Sequence, residues 1–186
     1  MSTNAYDSVL APPTDGELAP PEDRTLLGRT KEIAITIDDI QAFPLNPRQS
    51  DNPRLDEIMA SIEAIGLQQP LTVTKRPGEG VYTLYNGGNS RLKSLNRLWK
   101  KHGDRRFYEV RCHFVEFTSD ADILLRHMIE NEVRGEMTLL DKALAVRRLK
   151  QMYEERQGGK TIPVRDLAQM LAKDGWSINH NTAALF

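Results

Sequence analysis

Three short stretches carry residue types that could do chemistry. The first is YNGGNSRLKSL, Tyr85 to Leu95, in which Gly87 and Gly88 part an apolar run (Val81 to Tyr85) from one with helical spacing (Leu92, Leu95, Leu98, Trp99). Paired glycines cost backbone entropy and mark a tight turn or a close approach. Asn89 or Ser90 is a natural cap for the helix that follows, and Arg91 falls in its first turn. A helix N-terminus behind such a turn, with an arginine beside it, can cradle an anion. An ordinary strand-to-helix turn would use the same residues. The second stretch is ENEVR, Glu130 to Arg134. Glu130 and Asn131 offer hard oxygens of the type Mg²⁺ takes, and Arg134 can pair with a phosphate. Glu130 and Arg134 are also spaced for a surface i,i+4 ion pair, worth about 0.3–0.5 kcal/mol. The third is GLQQPLTV, Gly66 to Val73, where a helix stop, Gln69-Pro70 and a strand leave backbone groups open in a loop.

These stretches need a scaffold, and the chain of 186 residues is long enough for one or two domains with a sizeable core. Hydrophobic residues make up 39% and charged residues 27%, a soluble globular composition. No apolar run approaches the roughly 20 residues of a membrane span, and the acidic, proline-rich start lacks the apolar core of a signal peptide. The one cysteine, Cys112, excludes an internal disulfide and a cysteine-based zinc site, which points to a cytoplasmic protein. The net charge of −1 conceals a gradient: −3 over residues 1–30, −1 over 31–137 and +3 over 138–186. A basic end is where a nucleic-acid surface would lie, although a solvated helix face reaches the same excess.

Residues 1–30, with Pro12, Pro13, Pro20 and Pro21 and no periodicity, read as a disordered arm. Ile33, Ile35 and Ile37 alternate as a strand. Leu55, Ile58, Met59, Ile62 and Ile65 then recur at helical spacing up to Gly66. LTVTK and VYTLY (71–75 and 81–85) read as strands joined by a turn. A helix is expected from Asn89 to about Lys101, a strand from Phe107 to Phe117, and a helix capped by Ser119. Thr138 with Asp141 resembles a capping box, followed by a long amphipathic helix through Leu139, Ala143, Val146, Leu149 and Met152. The expectation is a mixed α/β domain over 31–135 and an all-helical one over 138–186.

The end of the chain, VRDLAQMLAKDGWSINHNTAALF, reads as a helix-turn-helix or as a hairpin used only for packing. In the first case the second helix would present Ser177, Asn179, His180, Asn181 and Thr182 to the major groove, where asparagine suits adenine edges. Arg147, Arg148, Lys150 and Lys160 could touch phosphates or form a solvated face.

The order NPR (46–48), LDEIMASIEAIGLQQPLTV, GGNSRLKSL, ENEVR, long helix and helix-turn-helix resembles the ParB family of DNA-partition proteins. It is most similar to the divergent members carried by plasmids and integrating conjugative elements. The resemblance spans about 31–186 and implies a ParB/sulfiredoxin-like nucleotide-binding domain followed by the helix-turn-helix domain. It implies CTP and Mg²⁺ as ligands. Gln69 and Pro70 match the loop near base and ribose; Gly87, Gly88, Asn89, Ser90 and Arg91 match the phosphate box; Glu130 and Asn131 match the Mg²⁺-associated pair, with Arg134 on phosphate. The implied partners are double-stranded DNA with a palindromic centromere-like site, a ParA-type ATPase and a second copy of the chain, a homodimer that nucleotide closes into a clamp. The resemblance also implies a continuation beyond Phe186 to a dimerisation domain.

The chain departs from that pattern where the family commonly has Gly-Glu-Arg-Arg, because Asn89 and Ser90 replace the glutamate and the first arginine. This puts efficient CTP hydrolysis in doubt and leaves a weak CTPase at most. Sulfiredoxin, of the same fold family, carries a cysteine nucleophile in its glycine box; here that place is Asn89, so a thiol reaction is excluded. The alternatives are a ParB-like nuclease or nucleotide hydrolase, for which no carboxylate cluster beyond Glu130 is seen, and a plain helix-turn-helix regulator.

Overall fold

The structure is a computed structural model that describes residues 30–46, 52–135 and 137–178. Almost all of the expected arm, Pro47 and Arg48 of the NPR motif, and Asn179, His180, Asn181 and Thr182 lie outside these residues.

Five strands form one mixed sheet: β1 (Thr30–Thr36), β2 (Ile40–Gln41), β3 (Leu71–Thr74), β4 (Tyr82–Leu84) and β5 (Glu109–Val115), in the order β1-β5-β3-β4-β2. β1 runs antiparallel to β5, placing Ile33 opposite Cys112 and Ile35 opposite Val110. β3 lies parallel to β5 and antiparallel to β4, whose other neighbour is the short parallel β2. The strand expected from Phe107 starts two residues later, because Arg105–Phe107 close a 3₁₀ turn held by Asp104, which accepts the Arg106 N–H.

The helices are α1 (Leu55–Ile65), α2 (Asn89–His102), α3 (Asp120–Val133), α4 (Leu139–Arg156) and α5 (Val164–Lys173). Ser119 caps α3 by accepting the Asp122 N–H, and Thr138 and Asp141 form the expected capping box on α4. The cap of α2 differs from expectation. Its N-cap is Gly88 at φ +85, with no side-chain acceptor, and Asn89 is already helical.

Two apolar cores hold these elements. Ile35, Ile62, Leu71, Leu84, Leu95 and Leu98 join the sheet to α1 and α2. Phe43, Tyr85, Leu124, Met128, Leu149, Leu171 and Trp176 join α3 to α4 and α5. Leu84 and Tyr85 thus serve different cores, as alternation at a strand end requires. The expected division between 31–135 and 138–186 falls in the loop after α3, yet α3 packs with the helices beyond it. A buried leucine contributes about 1.5–3 kcal/mol, so Leu167 and Leu171 hold α5 more firmly than surface ion pairs of at most about 1 kcal/mol. Leu139, expected inside, is exposed, as are Leu140, Leu144 and Val133.

The turn after α5 is tied back to the end of α3. Trp176 is buried and its Nε1 donates to Glu132 Oε2, while Lys142 Nζ pairs with Glu132 Oε1 at 2.8 Å. Burial pushes the Glu132 carboxyl up, but the bonds from Lys142 and Trp176 outweigh it and hold it below its ordinary value. Tyr153 donates to Asp174 at 2.5 Å, closing the same junction from α4.

Candidate functional site

A cleft of about 910 Å³ opens between α1, the loop after it, the first turn of α2 and the last turn of α3. Gln69, Gly87, Gly88, Asn89, Ser90, Arg91, Glu130, Asn131 and Arg134 all line it. Residues more than 60 positions apart in the chain are therefore brought to one place. Pro70 is the exception among the expected set. It is not part of the lining, and its carbonyl accepts from Arg91 instead.

The glycine turn shapes one wall. Gly87 and Gly88 both take positive φ, +62 and +85, the region that a Cβ disfavours. A side chain would also need its neighbours to move: a Cβ on Gly88 would lie 2.9 Å from Leu71 Cδ2, and one on Gly87 would meet the Glu130 carboxylate. The turn delivers the chain into α2, whose first i→i−4 bond is Leu92 N–H to the Gly88 carbonyl at 2.9 Å. The amides of Gly88, Asn89, Ser90 and Arg91 precede that bond and have no intrahelical acceptor. They carry the positive end of the helix dipole to the cleft.

The opposing charges come from α3. Arg134 Nη2 lies 2.6 Å from Glu130 Oε1, so the i,i+4 ion pair forms, and it forms at the cleft wall. Arg91 Nη1 donates to the carbonyls of Gln69 (2.8 Å) and Pro70 (3.2 Å), so its guanidinium also struts the loop. Burial pulls the Arg91 pKa down; the Glu130 carboxylate works against that and Arg134 with it. Counting the ionisable lining, Arg54, Arg91, Lys93 and Arg134 face Glu57 and Glu130, four positive side chains against two negative. Such a balance, beside unused helix amides, suits a polyanion such as a chain of phosphates.

Sequence reasoning missed the α1 wall. Arg54, Glu57 and Ser61 line the cleft together with Asn52, Asn46 and Asn96. The signal was present as a polar stripe at helical spacing beside the apolar one. His127 was also missed. It is buried on α3 and reaches the glycine turn, a contact across forty residues that no local pattern announces.

For a metal, the described residues contain no group of three or more His, Cys, Asp or Glu side chains placed to share an ion. Oxygens are nonetheless at hand. Asn89 Oδ1 is buried in the cleft wall with no hydrogen-bond partner, and Glu130 and Asn131 stand across from the turn. At the helical end, Ser177 is exposed just past Trp176. Arg147, Arg148, Lys160, Arg165 and Lys173 are exposed and make no ion pair with a described residue.

The family model of the ParB N-terminal domain matches residues 22–132. The probable chromosome-partitioning protein ParB of Campylobacter jejuni is 27% identical over 161 residues, covering 84% of this chain and 50% of that protein. The chain thus spans about half the length of this relative. Among solved structures, a pNOB8-like ParB N-domain shares 16% identity at a TM-score of 0.57, covering 83% of this chain and 64% of its own. That likeness is one of fold. The C-terminally truncated ParB of Caulobacter crescentus complexed with CTP-gamma-S shares 23% identity, covering 76% of this chain and 71% of its own. Its TM-score of 0.46 is too low to bear on this chain's ligands.

Proposed function

The chain belongs to the ParB N-terminal domain family, and on that premise we propose that its cleft binds CTP with Mg²⁺ and that the nucleotide governs how the helical end holds DNA. The observation that carries this reading is the meeting of four amides, Gly88 to Arg91, with a cleft whose charged lining is net positive. Hydrogen bonds to charged groups are worth about 1.5–3 kcal/mol each, so several such amides with Arg91 or Arg134 suffice for a triphosphate. The preference for CTP over other nucleotides rests on the resemblance alone.

The residues present fit Mg²⁺ in one specific way. Mg²⁺ is seldom held by an all-protein cage; it takes one or two carboxylates, keeps waters and completes its shell with substrate phosphates. Glu130 would supply the carboxylate, and Asn131 and the buried Asn89 Oδ1 the amide oxygens. When bound, the ion would neutralise phosphate charge. Asn89 and Ser90 supply neither the carboxylate nor the arginine usual in this box, so binding is favoured over turnover and any CTPase activity would be weak.

On the DNA side, the exposed Arg147, Arg148, Lys160, Arg165 and Lys173 of α4, α5 and the loop between them fit contacts to a duplex backbone, which add affinity without sequence information. Specific reading of a palindromic centromere-like site would fall to Ser177, Asn179, His180, Asn181 and Thr182. Val133, Leu139, Leu140 and Leu144 are exposed, and a second copy closing over them would give the clamp an apolar contact. Partition of a plasmid, a mobile element or a chromosome, with a ParA-type ATPase as partner, completes the proposal.

Calorimetric titration of CTP, ATP, GTP and UTP with Mg²⁺, with and without a palindromic duplex, tests it. Saturable binding that favours CTP and alters DNA residence is the expected result. DNA binding indifferent to every nucleotide would overturn it and leave a plain helix-turn-helix regulator.

A further inference from the structure

We infer that His127 is a positioning residue that sets the glycine turn in its ligand-ready shape, a role that rests on the cleft being a triphosphate site. His127 sits on α3 three residues before Glu130 and is fully buried. Its Nδ1 accepts the Gly87 N–H at 3.2 Å. A ring nitrogen that accepts carries no proton, so the ring's proton is on Nε2, where it points at the Leu84 carbonyl 3.3 Å away. The ring plane is fixed from the side by Phe43, stacked at 5.2 Å between centroids and 17° between planes. One rigid ring therefore grips both the last residue of β4 and the first glycine of the turn.

Two consecutive glycines at positive φ form the loosest joint the backbone offers, since each can populate either hand of φ. A cradle built on that joint holds an anion well only if something other than the anion fixes its shape. His127 does so from behind. It takes the Gly87 N–H inward and leaves the following amides, Gly88 to Arg91, at the cleft. A histidine that merely filled core volume would need no bond to this amide. Protonation at Nδ1 would remove the acceptor, and burial opposes it, bringing the pKa down to about 4.

The test uses the whole chain and three variants, with CTP and Mg²⁺ as probe. His127→Asn keeps an acceptor near Nδ1; His127→Gln keeps a donor toward Leu84 but no acceptor at Gly87; His127→Leu keeps only volume. Circular dichroism checks the fold, calorimetry reads CTP affinity, and NMR hydrogen exchange reads the Gly87 amide. His127→Leu and His127→Gln are expected to bind CTP about tenfold or more weakly and to exchange the Gly87 amide correspondingly faster, while His127→Asn stays within about threefold of wild type. Should His127→Leu fail to fold, the contrast between Gln and Asn carries the same information. Wild-type affinity in either acceptor-free variant, or an Asn variant as impaired as the Gln, would overturn the inference. If the wild type binds no triphosphate, the nucleotide reading falls separately. Gly87 exchange, slow in wild type and fast in His127→Gln, would still support the hold on the turn; equal exchange in both would overturn it.

Discussion

Gly87 and Glu130 share one space. A Cβ on Gly87 would lie 1.4 Å from Glu130 Oε2, so the carboxylate stands where a side chain would begin. The turn of one segment and the last turn of α3 are thereby fitted to each other.

Gly87→Ala is expected to do two separable things. The positive φ costs about 1–2 kcal/mol of stability whatever the neighbours do. The carboxylate, at the end of a flexible side chain, must also swing away, which weakens Mg²⁺-dependent CTP binding. In Glu130→Ala the second effect is already spent. A binding titration of both single variants and the double variant should show strong non-additivity, as expected for residues in contact.

Arg91→Ala should weaken CTP binding by about 1.5–3 kcal/mol, the range for hydrogen bonds to charged groups. Because Arg91 also donates to the Gln69 and Pro70 carbonyls, the loop after α1 should exchange its amides faster even without nucleotide. Unchanged CTP affinity in the folded variant would remove Arg91 from the cradle, and unchanged exchange would remove it as a strut.

Glu130→Gln should leave the fold intact and flatten the dependence of CTP binding on Mg²⁺ concentration, since an amide is a poorer ligand for a hard cation. If Glu130 serves only as the partner of Arg134, the titrations with and without Mg²⁺ will match those of wild type.

DNA binding should divide by residue class. Arg147→Gln with Arg148→Gln should lower affinity for every duplex and reduce the salt slope by about 0.9 for each phosphate that is no longer neutralised. Replacing Asn179 and Asn181 with alanine should erase the preference for the cognate palindrome and leave CTP affinity unchanged. Competition binding across a salt series measures both.

The buried His127 makes a pH prediction. Its folded pKa is brought from 6.5 to about 4, chiefly by burial and against the bond to the Leu84 carbonyl. Between those values only the unfolded chain takes up the proton, so its contribution is whole above about pH 6.5 and is lost progressively toward pH 4. The full loss is about 3 kcal/mol. Urea unfolding at pH 7 and pH 4.5 should show wild type losing about 2–3 kcal/mol more than His127→Asn. Parallel losses would mean that the ring is not held neutral.

What was legible in the sequence was what nearby residues determine. Apolar spacing located the five helices and four of the five strands, though not the two-residue β2 nor the 3₁₀ turn that takes Ile37 out of β1; Ser119 and the Thr138–Asp141 box were readable because a cap involves residues three apart. Side-chain capping rules favoured Asn89 or Ser90, whereas the positive φ of Gly88 makes the glycine itself the boundary. The motif order brought most of the cleft together on paper. It could not reveal that Pro70 turns its carbonyl to Arg91, because that depends on how two distant segments dock. Periodicity likewise marked Leu139 as apolar without saying whether anything covers it.

The junction through Glu132 bears on how the chain can be taken apart. The loop after α3 looks like a seam, and a fragment ending at Gly135 looks like a self-contained nucleotide module. Such a fragment would keep α3 but strip the cover from Leu124 and Met128 and remove both donors, Lys142 and Trp176, from a half-buried carboxylate. Its exposed apolar face would favour aggregation. A cut placed after Trp176 instead preserves every one of those interactions. The shortest piece that keeps the cleft properly supported therefore includes α5, the first helix of the proposed DNA-reading unit.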